Sequence, residues 1–434
     1  YIVPEQHRCV RGRDSSRDES FLCRDRRSRT SMEVRRAGAA NLHHLRTTEA
    51  RHPRATAEGA DMTDPRVEKL ARLLVEYSVS IKKGKMLGIS GHACASPLLR
   101  ECYRHAIRKG ALVEVNVAID GLAEIFYAEA NSQQLAYASP FREFRMRKLD
   151  ALINVWGDTN TRSLTNADPK KMAAFAAANK KIGQIFLDRA AKKELLWVGT
   201  QWPTNAAAQD AEMSLEEYEN FVFKAGHLDD ADPIATWKRI SASQKALAAA
   251  LNKCKQIRIE APDTDITLGV GGRRWINCDG HENFPDGEVF TGPVETQVNG
   301  HIRFSFPAIH HGREVNGVFI EFKNGKVVKA QADKGEDFLR AMVAMDARSS
   351  YLGELAFGTN YNITRYTRNT LFDEKIGGTM HLALGSGYPE TGSVNKSGLH
   401  WDMVCDTRKK AKVFADGNLL LENGRFVNKS FPHP

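Results

Sequence analysis

The sequence predicts an α/β half built on a doubly wound, mostly parallel sheet, followed by a strand-rich α+β half. Two observations carry this. From residue 62 to about 255, helix-like stretches alternate with short runs that are apolar on both faces, the pattern of strands covered by helices on each side. After about 256 the texture changes to alternating strands joined by Asn-Gly turns, the signature of antiparallel hairpins. The expected division is therefore residues 1–61 as an extension, 62–255 as an α/β domain and 256–434 as a second, chemistry-bearing domain.

The first element is a helix. Asp64-Pro65 supplies a cap and a first-turn proline ahead of the amphipathic VEKLARLLVEYS. Helix-like stretches are expected near 65–83, 97–109, 169–179, 214–224 and 233–253. The strands between them are KMLGIS (85–90), LVEVNVAI (112–119), DALINVWG (150–157), GQIFLD (183–188) and LLWVGT (195–200). A sheet of this kind binds ligands at the carboxyl ends of its strands. GHACAS (91–96) lacks the GxGxxG turn that wraps a pyrophosphate, so no nucleotide cofactor is expected. In the second half, QIRIEAP, TDITLGVG, TQVNGHIRFSF and GVFIEFKNGKVVKAQA read as antiparallel strands. GEDFLRAMVAMDA reads as a helix, and VFADGNLLLENGRFV closes the chain with further hairpins.

Residues 1–61 differ from the rest. They hold 13 arginines, nine acidic residues and no lysine, with little apolar periodicity, and Met62 follows directly. The expectation is a disordered extension, or sequence upstream of a true start at Met62. Nine acids argue against a transit peptide. Of the formal charge of +9, +4 lies there and +5 is spread over the remaining 373 positions, and no window approaches 18 unbroken apolar residues, so neither a nucleic-acid partner nor a membrane is expected. Seven cysteines without a CxxC pair fit a reducing, cytoplasmic setting.

Five ligand-type side chains stand in the second half: Glu288 in PDGEVFTGP, Glu354 in YLGELAFG, His381 in HLALGSGYPETG, and His400 and Asp402 in GLHWDM. Glu354 is flanked by apolar residues on both sides, where a carboxylate is costly to bury unless it is paired or metal-bound. His400 and Asp402 are two apart on a strand, so they share a face and Trp401 takes the other. Carboxylates and imidazoles without thiolate suit Zn²⁺, Co²⁺ or Mn²⁺. Five ligands exceed what one open four-coordinate site needs, which points to a pair of ions and to hydrolysis. His310-His311 is set aside, because strand neighbours face opposite ways. Cys405 reads as a packed thiol, and Trp202-Pro203 as a buried loop or a partner contact.

These segments, with TQWPTNAAAQDAEMSLEEYENFVFKA and NTLFDEKIGGTMHLALGSGYPETG, resemble the M29 metallo-aminopeptidases from about Met62 to the C terminus. The resemblance implies that Glu288, Glu354, His381, His400 and Asp402 bind two divalent ions. It also implies that Tyr388 is the active-site tyrosine, and that Glu374 is a further ligand or a base. DEKIGGTMH is longer between its glutamate and histidine than in many relatives. Short peptide substrates and a homodimer with enclosed active sites are further implications. Ring-cleaving dihydroxypyridine dioxygenases are similar to this family and bind one Fe²⁺ through histidine and carboxylate, making them the rival reading. Retention of both Glu288 and Glu354 favours two ions and hydrolysis.

Overall fold

A computed structural model describes residues 64–431, and expectations for residues 1–61 and a start at Met62 lie outside the described residues. The chain begins as anticipated. Asp64 caps the Pro65–Leu73 helix, its carboxylate accepting from the Arg66 amide at 2.8 Å. The α-helix stops earlier than expected and passes into a single π-turn over Leu74–Ser78, all but Glu76 of it buried.

The first sheet is parallel throughout. Its order is Leu112–Ala118, Met86–His92, Ala151–Trp156, Leu196–Gln201 and, last, the short Asn283–Phe284. The chain thus starts in an inner strand and reverses direction, as a doubly wound sheet does. One expected strand is absent: GQIFLD (183–188) belongs to a 23-residue helix, Pro169–Ala191. Ile182 and Phe186 are buried from that helix. Their spacing of four is the helical one, and Gly183 is not enough to end the helix between them. Shorter helices that the sequence reading did not anticipate span Leu122–Glu129, Ser132–Leu135, Pro140–Lys148 and Asn205–Asp210.

The strand-rich half carries an eight-stranded antiparallel sheet and a five-stranded one. The five-stranded sheet runs His400–Cys405, Met380–Gly385, Leu352–Gly358, Glu288–Thr291 and Ile276–Cys278. One face packs Leu355, Phe357, Leu382, Leu384, Trp401 and Met403 into the core that the eight-stranded sheet closes with Ile257, Ile266 and Ile302. A second core centres on the parallel sheet and holds Leu70, Ile89, Ile153, Val198 and Trp237. Residues from far downstream, Phe284, Ile363, Phe372 and Ile376, complete it. Among the described residues no helix is long and apolar enough to cross a membrane.

Candidate metal centre

The opposite face of the five-stranded sheet is where the ligand-type residues gather. Side chains alternate along a strand, so Glu354 shares a face with Ala356 and Gly358, His381 with Ala383 and Gly385, and His400 with Asp402. The register places Ala383 opposite both Glu354 and Asp402, Ala356 opposite His381, Gly385 opposite His400, and Gly358 opposite Glu288. On at least one side, each long polar side chain therefore faces a residue with almost none. The ladder sets their separations, and the small partners leave the space between them open.

Two local devices aim the glutamates. Gly287, just before Glu288, has φ of +132°, and a Cβ there would lie 2.6 Å from the Asn360 Cβ. A side chain at 287 would clash, so the entry into the strand depends on glycine. The register also shifts between Leu352 and Glu354, a bulge that turns the Glu354 carboxylate onto the ligand face. At the bulge, the Ser386 carbonyl packs against Gly353 where a Cβ would stand.

The structure brings together all five of these residues and adds Glu374. His381 Nε2 lies 3.4 Å from Glu354 Oε1, 3.7 Å from Glu288 Oε2 and 4.0 Å from Asp402 Oδ1. His400 Nε2 is 3.4 Å from Glu354 Oε2 and 3.5 Å from Asp402 Oδ1. Among the described residues three triplets have ligand atoms within 4.8 Å of one another: Glu288, Glu374 and His381; Glu354, His400 and Asp402; and Cys278, Asp286 and Glu288, which shares Glu288 with the first and contains no histidine. The outer ring nitrogens are already engaged. His381 Nδ1 faces the Glu374 carbonyl at 3.2 Å, and His400 Nδ1 the Ser386 carbonyl at 2.7 Å. An Nδ1–H donated to a carbonyl fixes the tautomer whose Nε2 lone pair points inward, as a metal-binding histidine requires.

The donor set fits divalent ions. Glu288 Oε2 and Asp402 Oδ1 are buried and make no hydrogen bond, which for a carboxylate oxygen is costly without a cation. The electrostatics agree. Burial alone would depress both histidines, but the Glu354 hydrogen bond and the charges of Glu288, Glu354 and Glu374 lift His381 to about 10. Asp402 and Glu354 likewise lift His400 to about 10. Burial pushes Glu354 and Glu374 upward. At Asp402 burial also works upward, but His400 and His381 outweigh it and hold the carboxyl below its usual range. So many acids in a dry site call for positive charge.

Tyr388 stands at the edge of the cluster, its ring 5.5 Å from that of His400 and 5.1 Å from that of Phe290. Burial, then the nearby carboxylates, raise its pKa well above the usual phenol range, so it remains a hydrogen-bond donor. Glu374 and Asp402 also line a small surface opening with Ile309, Tyr366 and Arg368. His310 and His311 take no part: His310 stacks on Trp401 at 5.3 Å, on the core side, and His311 is exposed.

Sequence reading missed Lys375. Its side chain is 2% exposed, and its Nζ lies 2.6 Å from Glu374 Oε2 and 3.7 Å from Glu288 Oε1. Burial disfavours the ammonium, but Glu288, Glu374 and Asp286 outweigh it and raise the pKa well above the usual lysine value. A signal existed: the charged run Asp373-Glu374-Lys375 sits between Leu371-Phe372 and Ile376, which are all buried.

Residues 63–426 match the family described as Peptidase_M29, thermophilic metalloprotease (M29). The chain belongs to the M29 metalloprotease family. It is accordingly an enzyme, a hydrolase of the metallo-aminopeptidase kind. Similar proteins include aminopeptidase AmpS of Bacillus subtilis, 28% identical over 76% of this chain and 86% of that one. Aminopeptidase 2 of Geobacillus stearothermophilus is 28% identical over 82% and 98%. Aminopeptidase T of Thermus thermophilus is 28% identical over 75% and 85%. The solved structure of wild-type AmpT from Thermus thermophilus superimposes with a TM-score of 0.73 at 24% identity, covering 84% of this M29 member and 99% of that chain. That likeness speaks for the fold. Nothing in these matches supports the ring-cleaving dioxygenase reading.

Proposed function

We propose that this M29 enzyme releases N-terminal amino acids from short peptides with two divalent ions, Zn²⁺, Co²⁺ or Mn²⁺, in one pocket. The observation that carries the reading is the pair of histidine-containing triplets, five of their six residues on one sheet and Glu374 beside it. Glu288, Glu374 and His381 would hold one ion, and Glu354, His400 and Asp402 the other. Glu354 approaches both histidines, one with each carboxylate oxygen, which favours it as the bridge. Such ions supply Lewis acidity and a water acidic enough to attack near neutral pH.

The free α-amine of a peptide would be held at one of those ions, which would confine cleavage to the first residue. The chain's own groups do the rest. Tyr388, protonated and beside His400, donates a hydrogen bond to the oxyanion as the carbonyl becomes tetrahedral. Membership of a triplet favours Glu374 as a ligand over a free base.

A homodimer has support in the first sheet. The edge strand Leu112–Ala118 exposes Leu112, Val115 and Val117, all more than 40% accessible, beside a groove of about 720 Å³ lined by Leu99, Tyr103 and Ile107. An apolar strand edge of this kind invites cover, and a second copy of the chain is our choice of occupant. Five described cysteines are free thiols, which favours a cytoplasmic setting.

The deciding experiment pairs metal analysis with a panel of aminoacyl-p-nitroanilides, before and after chelation. Two ions per chain and hydrolysis that chelation abolishes are expected. Undiminished turnover after exhaustive chelation would refute the metal-dependent mechanism.

A further inference from the structure

The two triplets differ in one respect that their ligands do not explain. Among the described residues, Glu354 and Asp402 form ion pairs only with His381 and His400. Glu288 and Glu374 also share their charge with Lys375, which lies against one oxygen of each. This ammonium cannot swing away as a surface lysine would. Phe372 and Ile376, on either side in sequence, are fully buried in the core around the parallel sheet. The Lys375 backbone is pinned at both groups, its amide donating to the Phe372 carbonyl at 3.0 Å and its carbonyl accepting from the Asn360 amide at 3.1 Å.

We infer that Lys375 makes the two pockets unequal: a cation at Glu354, His400 and Asp402 is held tightly, and one at Glu288, Glu374 and His381 is held weakly. This rests on the two-ion reading above. A fixed positive charge sharing two carboxylates with a divalent ion repels it in a low-dielectric site and occupies oxygens it would otherwise use. The weaker ion then binds second and leaves first, and cation supply sets how much of the enzyme is fully loaded. Lys375 is a positioning residue in this scheme, holding one oxygen of Glu288 so that Oε2, which makes no hydrogen bond, faces His381.

The test is a calorimetric Co²⁺ titration of chelator-stripped full-length protein, with the visible Co²⁺ spectrum recorded alongside. Two classes of site are expected, at least about tenfold apart in Kd. Lys375→Met and Lys375→Gln should tighten the weaker class by about tenfold and move the tighter one by less than about threefold, whereas Lys375→Arg should keep the gap. His400→Ala should delete the tighter class. Two equal classes in the parent, or a weaker class that both neutral variants leave in place, overturn the inference while the two-ion reading stands. One ion per chain in every variant sinks the two-ion reading and the inference with it. Should both neutral variants fail to fold, the parent and His400→Ala still decide, because loss of the weaker class on removing His400 overturns the assignment.

Discussion

The two ligand triplets are assembled by different means. Glu354, His400 and Asp402 all lie on strands, Glu354 beside a bulge and His400 at a strand start, with Ala383 opposite both carboxylates. The second triplet takes Glu288 from the first residue of a strand, His381 from the second residue of another, and Glu374 from the residue that caps a four-residue helix. Hydrogen-bonded ladders fix the first set. The second relies on Phe372 and Ile376 reaching a different hydrophobic core to hold Glu374 in place. Strand-borne ligands are thus set by local geometry, whereas the loop-borne one is set by packing between the two halves of the protein.

That contrast makes predictions of graded size. The largest effect belongs to the strand-borne set. Asp402→Asn and His400→Ala should each lower kcat/KM by about 10³ or more, since Lewis acidity is worth several kcal/mol and each 1.4 kcal/mol is tenfold. Loss of less than tenfold in either would remove that triplet from the chemistry. Tyr388→Phe comes next, with kcat down by about 10²–10³ and metal content unchanged. Parent-level turnover of aminoacyl-p-nitroanilide by this variant would deny Tyr388 a catalytic role.

Smaller effects test the loop-borne set and the fold around it. Glu374→Gln should cost about 10–100-fold in metal affinity at one site only, read by equilibrium dialysis. Equal loss at both sites would erase the distinction between triplets. Metal removal should lower the thermal midpoint by a few degrees, because an ion at 100 times its Kd contributes about 2.7 kcal/mol. The smallest change is expected at the exposed strand edge. Val117→Lys should shift the molecular mass measured by light scattering from dimer towards monomer, and a monomeric parent would remove the proposed partner copy.

Legibility in the sequence followed the same divide. The shared face of His400 and Asp402 was legible in their two-residue spacing, and the burial of Glu354 in its apolar surroundings, because strand alternation is written locally. Four of the five anticipated parallel strands are present for the same reason: doubly apolar runs between helices have few other uses. GQIFLD was misread because a six-residue apolar run suits a strand or a buried helix face equally, and only its neighbours on Pro169–Ala191 decide. Lys375 was passed over because its one local signal, a charged run between apolar residues, fits a solvated lysine equally well. Its burial comes from Phe372 and Ile376 packing against residues some 150 or more positions upstream, such as Tyr218 and Phe221.

The Asn283–Phe284 strand lies beyond the boundary where the chain's texture changes, yet it pairs with Leu196–Gln201 at the margin of the earlier sheet. Expression of a fragment ending near residue 255 would therefore leave that margin bare and remove Phe284, Phe372 and Ile376 from the interior they fill. Such a truncation should be insoluble or molten. Attempts to graft the strand-rich half onto another scaffold would have to carry its upstream partner along.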